Sequence, residues 1–290
     1  MNAMYRMITF DMDGTLLSSA QTITEKTSEA IHRACTAGKT VALCTGRSVS
    51  ELKDYVNQLS DVRYAICVSG ALVYDLREQK KLYSCCFPEK TVAEALILAG
   101  QEDTMVQFLE ADLIAEKEKS MHADRYQIGE YIPLFARRAL LVDDIRAYFA
   151  KARPAIAKIN IYHRDTEARE RTRERILAAG LPVTVKDSEI TSLELSAPGI
   201  NKGTGLQQLC SLLGISAAET ISVGDAANDL DVLMTAGLPI AVDNAWPVIK
   251  STVLARGGAV VADNDHDGCA EAIDRYLLGN FPQEERKESL

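Results

Sequence analysis

The segment MITFDMDGT at residues 7–15 is the clearest indication of the fold of this chain. It opens with an apolar run at residues 7–10 and ends in a glycine turn that carries Asp11 and Asp13. This order predicts a buried strand that leads into a tight turn. Open sheets of parallel strands bind ligands outside the carboxyl ends of those strands. The two carboxylates therefore mark a candidate functional site.

Strands and helices alternate on both sides of the middle of the chain, a pattern that predicts parallel strands joined by right-handed crossovers. Thr24 can cap the first helix and Gly38 can end it. The other early elements are a strand at 41–44, an amphipathic helix marked by Val49, Leu52, Val56 and Leu59, and a strand at 64–68. The late elements are strands at 220–223, 239–242 and 259–261, with helices at 228–236 and 267–278.

Residues 84–190 have a different order of predicted elements, because strands at 105–109 and 112–115 follow each other without a helix between them. This pattern is typical of an α+β module. We therefore predict an α/β fold with a Rossmann-like parallel-sheet core, formed by residues 1–83 and 191–290. An α+β domain at 84–190 is predicted to be inserted into that core. A length of 290 residues suits two domains.

The composition excludes several classes of function. A net charge of -9 and a pI near 5.1 argue against a nucleic-acid or anionic-membrane partner, because both need clustered basic residues. No run of ~18 apolar residues occurs, so neither a signal peptide nor a membrane span is expected. The seven cysteines match no zinc-site spacing. These features predict a cytoplasmic protein in a reducing compartment.

The two carboxylates of the first motif suit phosphoryl transfer. Asp11 can act as a covalent nucleophile toward phosphorus. Asp13 can protonate the leaving oxygen and later deprotonate water. Gly14 allows a tight turn whose N–H groups can bind phosphate. An ordinary aspartate-rich turn explains this motif equally well when it is taken alone.

Two further motifs open helices. The hydroxyl of Thr45 and the amide of Gly46, directly after a predicted strand, suit a phosphoryl oxygen at a helix N-terminus. Lys202 also stands at a helix start and offers a compact cation on a long stem. A helix cap at Thr45 and a solvated lysine at 202 are the alternatives that each motif leaves open.

The fourth motif is GDAAND at residues 224–229, after the predicted strand at 220–223. Asp225 and Asp229 lie four positions apart across a strand-to-helix turn. Carboxylate oxygens with few other protein ligands suit Mg²⁺. Helix capping by Asn228 or Asp229 is the alternative. The four motifs occur in order along the chain and together predict a phosphate and magnesium site.

The chain resembles the haloacid dehalogenase superfamily, and within it the Cof-type branch of sugar-phosphate and cofactor phosphatases. The resemblance covers both halves of the predicted core and extends to Asn244-Ala245 and Asp267-Gly268. The segments that carry it are FDMDGTLL at 10–17, Thr45-Gly46-Arg47, Lys202-Gly203, Gly224-Asp225 and Asn228-Asp229. The second carboxylate, Asp13, is typical of the phosphatases and phosphomutases of this superfamily and argues against a dehalogenase.

The resemblance implies a role for each matching residue. Asp11 corresponds to the nucleophile, Asp13 to the general acid and base, and Asp225 to a metal ligand. The family also uses the carboxylate of its nucleophile and the carbonyl group of the residue at 13 as metal ligands. The implied phosphate ligands are Thr45, Gly46, Lys202 and Asn228, and the implied metal ligands are Asp11, Asp13, Asp225 and Asp229.

The insert before Lys202 resembles an α/β cap that determines substrate specificity in this branch. The chain departs from its relatives at Ser69-Gly70, where they usually have Asn-Gly. It also departs at residues 242–245, where Val-Asp-Asn-Ala replaces Met-Gly-Asn-Ala. Both departures lie near predicted strand ends, so substrate contacts there are expected to differ. Candidate substrate contacts in the insert are His122, Arg125, Tyr126, Arg137 and Arg138.

The predicted function is that of a Mg²⁺-dependent phosphatase, a hydrolase that acts on a small phosphorylated metabolite through an aspartyl-phosphate intermediate. A sugar phosphomutase of the same superfamily is one alternative, because phosphomannomutases resemble this core and cap. The other is a binding or regulatory module that keeps the fold without catalysis. The sequence does not distinguish among sugar, flavin, pyridoxal and polyol phosphates as substrates, and it leaves the oligomeric state open.

Overall fold

A computed structural model describes residues 5–55 and 57–280 of the chain. The chain forms two compact units. The first unit comprises Met1–Gly46, Tyr55–Tyr83 and Asn201–Leu290, and the second comprises Arg47–Asp54 and Ser84–Ile200. Each unit contains its own sheet. A second, inserted body is thus present, although its limits differ from the predicted 84–190.

The strands of the described residues are short and are distributed over the whole chain. In chain order they are β1 (Met7–Phe10), β2 (Thr40–Cys44), β3 (Tyr64–Cys67), β4 (Leu72–Asp75), β5 (Lys80–Ser84), β6 (Thr104–Leu109), β7 (Leu113–Glu116), β8 (Ala139–Val142), β9 (Lys158–His163), β10 (Thr184–Asp187), β11 (Ser192–Ser196), β12 (Thr220–Gly224), β13 (Leu238–Val242) and β14 (Ala259–Val261). Of these, β4, β5, β8, β10 and β11 were not predicted from the sequence.

The α-helices of the same residues lie mainly between strands. They are α1 (Glu25–Thr36), α2 (Val49–Leu52), α3 (Glu89–Ala99), α4 (Lys117–Met121), α5 (Ile132–Arg138), α6 (Ile145–Ala152), α7 (Thr166–Ala178), α8 (Lys202–Leu213), α9 (Leu230–Thr235), α10 (Pro247–Ala255) and α11 (Gly268–Ala272). Short 3₁₀- or π-helical turns are also present, at Met12–Leu16, Val68–Gly70, Ala123–Tyr126, Gly129–Tyr131, Ala217–Glu219, Ala227–Asp229 and Ile273–Leu277.

The sheet of the first unit places β1 near its centre. Its strand order is β14-β13-β12-β1-β2-β3-β4-β5. β1 is parallel to both of its neighbours, β12 and β2, whereas β3 and β4 are antiparallel. All four residues of β1 are buried, as expected for a parallel strand that is covered on both faces. The predicted α/β class with a parallel core sheet is confirmed.

Helix predictions near the N-terminus had different outcomes. The hydroxyl of Thr24 accepts a hydrogen bond from a backbone N–H in the first turn of α1, so the predicted cap is confirmed. The second helix was predicted to extend to Leu59, which is wrong, because the helix ends with α2. An ion pair between Asp54 and Arg138 joins the segment after α2 to α5. Val56, which belonged to that prediction, lies outside the described residues.

The sheet of the second unit is mixed. Its order is β10-β11-β9-β6-β7-β8, in which only β7 and β8 are parallel among the described pairs. β11 pairs with β9 along its whole length. Because of this pairing, the second unit extends beyond the predicted boundary at residue 190. One face of the sheet forms an apolar core with α3, α6 and α7, which includes Val106, Phe108, Ile159, Ile161, Leu193 and Leu195.

All seven cysteines fall within the described residues and carry free thiols. Four of them are buried and three are partly buried. Within residues 5–55 and 57–280, no helix combines the length and the apolar character needed to cross a membrane.

Candidate active site

Three of the predicted motifs follow neighbouring strands of the first sheet. β1 lies between β12 and β2, and Asp11, Asp225 and Thr45 come directly after these three strands. The N–H of Asp11 donates to the carbonyl oxygen of Val223 at 3.0 Å, which extends the ladder one residue beyond β1. Parallel strands end at the same edge of a sheet. Strand order therefore brings the three motifs together.

The turn after β1 packs against Asp225. Gly14 has a φ of 77°, a conformation that favours glycine, and a Cβ at this position would lie 2.8 Å from Oδ2 of Asp225. The hydroxyl of Thr15 donates to Oδ1 of Asp225 at 2.7 Å. The side-chain amide of Asn244 donates to the carbonyl oxygen of Gly14 at 2.7 Å. Thr15 is not among the predicted site residues, although it lies in the segment at residues 7–15 that carries Asp11 and Asp13.

The ammonium group of Lys202 lies between two carboxylates. Its Nζ donates to Oδ1 of Asp11 at 2.6 Å and to Oδ1 of Asp229 at 2.7 Å. The lysine side chain is 1% exposed, and both aspartates are also buried. Buried charges of this kind are found paired, because burial of an isolated ion is very unfavourable. Lys202 is thus part of a buried ionic group, not a solvated residue at a helix start.

Close backbone packing fixes the start of α8, where Lys202 is the first residue. A Cβ on Gly70 would lie 2.0 Å from the carbonyl oxygen of Asn201, and one on Gly205 would lie 2.8 Å from the Cα of Gly70. Gly203 meets the backbone of α9 in the same way. Any larger residue at these positions would force the backbones apart. The glycines therefore fix the position of the backbone from which the Lys202 side chain extends.

Asp229 connects Lys202 to the turn after β12. Its Oδ2 accepts the backbone N–H groups of Asp225 at 3.0 Å and Ala226 at 3.2 Å, while its Oδ1 accepts from the lysine. Gly224 is needed here as well, since a Cβ would lie 2.6 Å from Cγ of Asp229. Both carboxylate oxygens of Asp229 therefore accept hydrogen bonds.

Asp11, Asp225 and Asp229 could together hold a cation. One carboxylate oxygen from each lies within 4.8 Å of the others. Hard oxygen donors in this number suit a divalent ion that keeps some of its waters. In the part of the chain that the structure describes, this is the one group of metal-ligating side chains with that spacing. The residues present therefore fit a divalent metal.

The electrostatics of these groups favour the same interpretation. Burial, together with the nearby Asp229, raises the pKa of Asp11 well above its ordinary value, although Lys202 opposes the shift. Burial lowers the pKa of Lys202, but Asp11 and Asp229 outweigh this effect and raise it overall. Burial also raises the pKa of Asp225 to about 6, against the hydrogen bond from Thr15. A nearby cation would stabilise the charged form of each carboxylate.

The remaining predicted residues differ in exposure. Thr45 is buried and Gly46 is partly buried, whereas the side chains of Asp13 and Asn228 are exposed. A carboxyl group that reaches solvent can exchange protons, as a general acid and base must do in each cycle. The strand ends thus present a buried ionic group and, on the same turns, exposed polar side chains.

Two successive residues after β3 have left-handed backbone conformations. The φ angles are 54° for Val68 and 55° for Ser69, and this conformation is strained for a β-branched residue. The N–H of Ser69 donates to the carbonyl oxygen of Thr45 at 3.1 Å. Strained backbone of this kind clusters at functional sites. The departure from the family pattern at Ser69 thus contacts the backbone of a predicted phosphate ligand.

A model of the haloacid dehalogenase-like hydrolases matches residues 8–273. The chain belongs to this family. The match spans both units and contains every residue of the buried ionic group. It confirms the resemblance that the motifs predicted, and the classification as a hydrolase.

Named relatives and solved structures agree with this assignment. The chain is 28% identical over 254 residues to the HMP-PP phosphatase of Cronobacter sakazakii, a match that covers 84% of this chain and 86% of that protein. It is 24% identical over 279 residues to the pyridoxal phosphate phosphatase YbhA of Escherichia coli, with 94% and 99% covered. A haloacid dehalogenase-like hydrolase from Bacteroides thetaiotaomicron has the same fold, with a TM-score of 0.80, 24% identity and coverage of 93% and 99%.

Proposed function

We propose that the chain is a Mg²⁺-dependent phosphatase that hydrolyses a small phosphorylated metabolite through a phosphoryl group carried on Asp11. The observation that carries this proposal is the buried ionic group, in which Lys202 contacts Asp11 at the end of the central strand. Membership of the family and the phosphatase relatives support it. Phosphoryl transfer is catalysed mainly by positioning and by neutralisation of charge, and this group supplies both.

In the first step, a carboxylate oxygen of Asp11 attacks phosphorus, so a bond forms to Asp11 while the bond to the leaving oxygen breaks. Asp13 donates a proton to that leaving oxygen, and its exposure allows this exchange. In the second step, water attacks the phosphorus of the aspartyl phosphate as Asp13 removes a proton from it. Inorganic phosphate leaves, and the carboxylate of Asp11 is regenerated.

Asp11, Asp225 and Asp229 would hold the metal, together with the backbone carbonyl of Asp13 that the family resemblance implies. A divalent ion at this position supplies positive charge that offsets the charge developing on the phosphoryl oxygens. Thr15 orients Asp225 for this role through its hydrogen bond.

The phosphoryl oxygens are proposed to bind Lys202, Thr45, the amide of Gly46 and Asn228. Lys202 is pre-positioned because its ammonium group is already fixed by two carboxylates. Such local positive charge matters in a chain whose net charge is -9, since the substrate is an anion. Substrate specificity is proposed to reside in residues 84–190, and the free thiols support a location in a reducing cytoplasm.

The test is turnover of p-nitrophenyl phosphate with and without Mg²⁺, for the wild-type chain and for Asp11→Asn. We expect Mg²⁺-dependent release of phosphate from the wild type and none from the variant. Asp274→Asn, which alters a surface pair with Arg33, is the matched control and should retain full activity. Absence of turnover in the wild type on any phosphomonoester would favour a non-catalytic module. A requirement for a sugar bisphosphate activator would favour a phosphomutase.

A further inference from the structure

Three successive residues after β3 have positive φ angles, which are 54° for Val68, 55° for Ser69 and 99° for Gly70. We call these three residues the left-handed turn. In this conformation the Cβ of an L-amino acid lies close to the following carbonyl oxygen, and a β-branched residue such as Val68 is especially strained. Such a conformation persists only where the surrounding structure enforces it. The contacts that enforce it therefore indicate the role of the turn.

The first contact of the left-handed turn is with the backbone of Thr45. The N–H of Ser69 donates to the carbonyl oxygen of Thr45 at 3.1 Å, and the N–H of Thr45 donates to the carbonyl oxygen of Ile66 at 2.8 Å. Both backbone polar groups of Thr45 are thus held by β3 and by the turn that follows it. The hydroxyl of Thr45 is one of the proposed phosphate ligands. The turn therefore helps to set the position from which this hydroxyl extends.

The second contact of the turn is with the start of α8. An added Cβ on Gly70 would lie 2.0 Å from the carbonyl oxygen of Asn201 and 3.1 Å from the backbone nitrogen of Lys202. An added Cβ on Gly205 would lie 2.8 Å from the Cα of Gly70. Glycine allows two backbones to approach this closely because it has no side chain. The turn thus packs directly against the residue that carries another proposed phosphate ligand.

β2 and α8 also meet without the turn, but that contact is weaker. The thiol of Cys44, the last residue of β2, donates to the carbonyl oxygen of Lys202 at 3.9 Å. A thiol is a weak donor, whereas the N–H of Ser69 donates to Thr45 at an ordinary hydrogen-bond distance. The backbone contact at Gly70 is closer still and cannot be compressed. The left-handed turn is therefore the stronger restraint on how far α8 lies from the end of β2.

We propose that the left-handed turn is a positioning element of the phosphate site, which sets the spacing between Thr45 and Lys202 so that both contact one phosphoryl group. This inference rests on the proposed function and deepens it. Val68, Ser69 and Gly70 are positioning residues, because they act through the backbone of the two ligands. A displacement of about 1 Å in such a site can lower a rate by ~10²-fold. The phosphoryl group is common to all phosphate monoesters, so each should be affected alike.

The first test is calorimetric titration with inorganic phosphate in the presence of Mg²⁺, which needs no turnover. In Gly70→Ala the new methyl group must displace the carbonyl group of Asn201. Gly205→Ala separates the turn from α8 through a different contact, and its higher helix propensity favours folding where Gly70→Ala fails to fold. Each variant that folds should bind phosphate about 10-fold more weakly or worse. Unchanged affinity in those variants, or a wild type that binds no phosphate, would overturn the proposal.

The second test is kinetic and separates displacement of the ligands from a loss of stability. Partial unfolding lowers the concentration of active enzyme, and with it the apparent kcat, but it leaves the Ki of inorganic phosphate unchanged. Displaced ligands bind phosphate less well, so they raise this Ki. With p-nitrophenyl phosphate as the substrate, we expect the Ki of phosphate to rise by the factor that calorimetry gives. A lower apparent kcat with an unchanged Ki would show a structural role and overturn the proposal.

Gly214→Ala is the matched control at the other end of α8. Gly214 has a φ of 62°, and no heavy atom of the described residues would lie within 4 Å of an added Cβ. The substitution strains the backbone without displacing a neighbour, so it should lower the Tm and leave the phosphate affinity unchanged. Equal weakening in Gly214→Ala would overturn the inference. If the wild type binds phosphate but hydrolyses no ester, the proposed function fails, and the calorimetric comparison alone decides on the turn.

Discussion

Nζ of Lys202 donates a hydrogen bond to Oδ1 of Asp11 at 2.6 Å, across 191 positions of sequence. This contact joins the last segment of the first unit to its central strand. It also places a fixed positive charge beside the proposed nucleophile in an environment from which water is largely excluded. Electrostatic interactions are stronger in such surroundings than in water.

Replacement of Lys202 by methionine should abolish most of the activity. The substitution keeps an unbranched side chain of similar length but leaves Asp11 and Asp229 without their shared cation. We expect a loss of at least ~10²-fold in kcat/KM, similar to the loss of one preorganised donor to a transition state. Lys26→Met, at an exposed lysine with a 3.5 Å ion pair, is the control and should have near wild-type kinetics. Similar kinetics for the two variants would contradict a catalytic role for Lys202.

The two carboxylates of the first motif should be separable by experiment. Asp11→Asn should form no phosphoenzyme with any substrate, whereas Asp13→Asn keeps the proposed nucleophile. Loss of the proposed acid and base should slow each step that needs proton transfer by ~10²–10⁴-fold. p-Nitrophenolate leaves without much protonation, so Asp13→Asn should show a burst of nitrophenol followed by slow turnover. Equal losses on activated and natural esters, without a burst, would assign Asp13 to positioning.

Mg²⁺ should stabilise the folded chain through the cluster of Asp11, Asp225 and Asp229. An ion that binds only the native state raises the free energy of unfolding by about 2.7 kcal/mol at a hundredfold excess over its Kd. Thermal unfolding with EDTA and with Mg²⁺ measures this gain. Asp225→Asn should reduce the Mg²⁺-induced rise in Tm, whereas Asp231→Asn, outside the cluster, should preserve it. A rise in Tm that survives Asp225→Asn would remove that residue from the metal site.

Ser69→Asn should stabilise the chain. Ser69 has φ and ψ angles of 55° and 31°, and asparagine tolerates this left-handed region better than most residues. A gain of up to ~1 kcal/mol corresponds to a rise in Tm of about 2 °C for a chain of this size. Ser69→Val should have the opposite effect, because a β-branched side chain is poorly suited to positive φ. Calorimetry distinguishes the two, and a lower Tm for the asparagine variant would refute the strain argument.

Glu102 should make the stability of the second unit depend on pH. Hydrogen bonds from Arg171, with Arg175 nearby, lower the pKa of Glu102 from 4.5 to about 2. Because the folded pKa is the lower one, its stabilising effect is complete above pH 4.5 and is lost as the pH falls toward 2. Glu102→Gln should therefore lower the Tm at pH 7, and this difference should narrow below about pH 4.5.

Urea unfolding at several pH values provides a second measurement for Glu102. The matched control is Glu89→Gln, which alters an exposed pair with Arg153 and should change stability little at any pH. If the difference between wild type and Glu102→Gln were constant with pH, the ion pairs of Glu102 would not be the cause.

Much of the first unit was predictable, because each motif lies directly after an apolar strand in the sequence itself. Parallel strands end at the same edge of a sheet, and this rule alone predicts that Asp11, Thr45 and Asp225 lie close together. The position of Gln107 opposite Asn160 in the second unit was not predictable in this way. Gln107 and Asn160 are brought together by the register of β6 and β9, and a shift of one residue would place either side chain on the opposite face.

Tertiary contacts also override local pattern elsewhere. Arg138 was a candidate substrate contact, but its guanidinium group pairs with Asp54. The amphipathic pattern continues beyond α2, but the helix ends at Leu52. Sequence periodicity indicates which face of a helix or strand is apolar. It does not predict which distant side chain will form an ion pair with a charged residue.

The discontinuity of the first unit has a consequence for biosynthesis. Thr15 and Asp225, which are hydrogen-bonded in the folded chain, are separated by 210 positions of sequence. The ribosome therefore releases β1 long before β12, the strand that completes its ladder, has been made. Until then the emerging protein exposes an apolar strand edge, which is prone to pair with other nascent chains. Chaperone protection of that edge during translation is thus expected to raise the yield of folded chain.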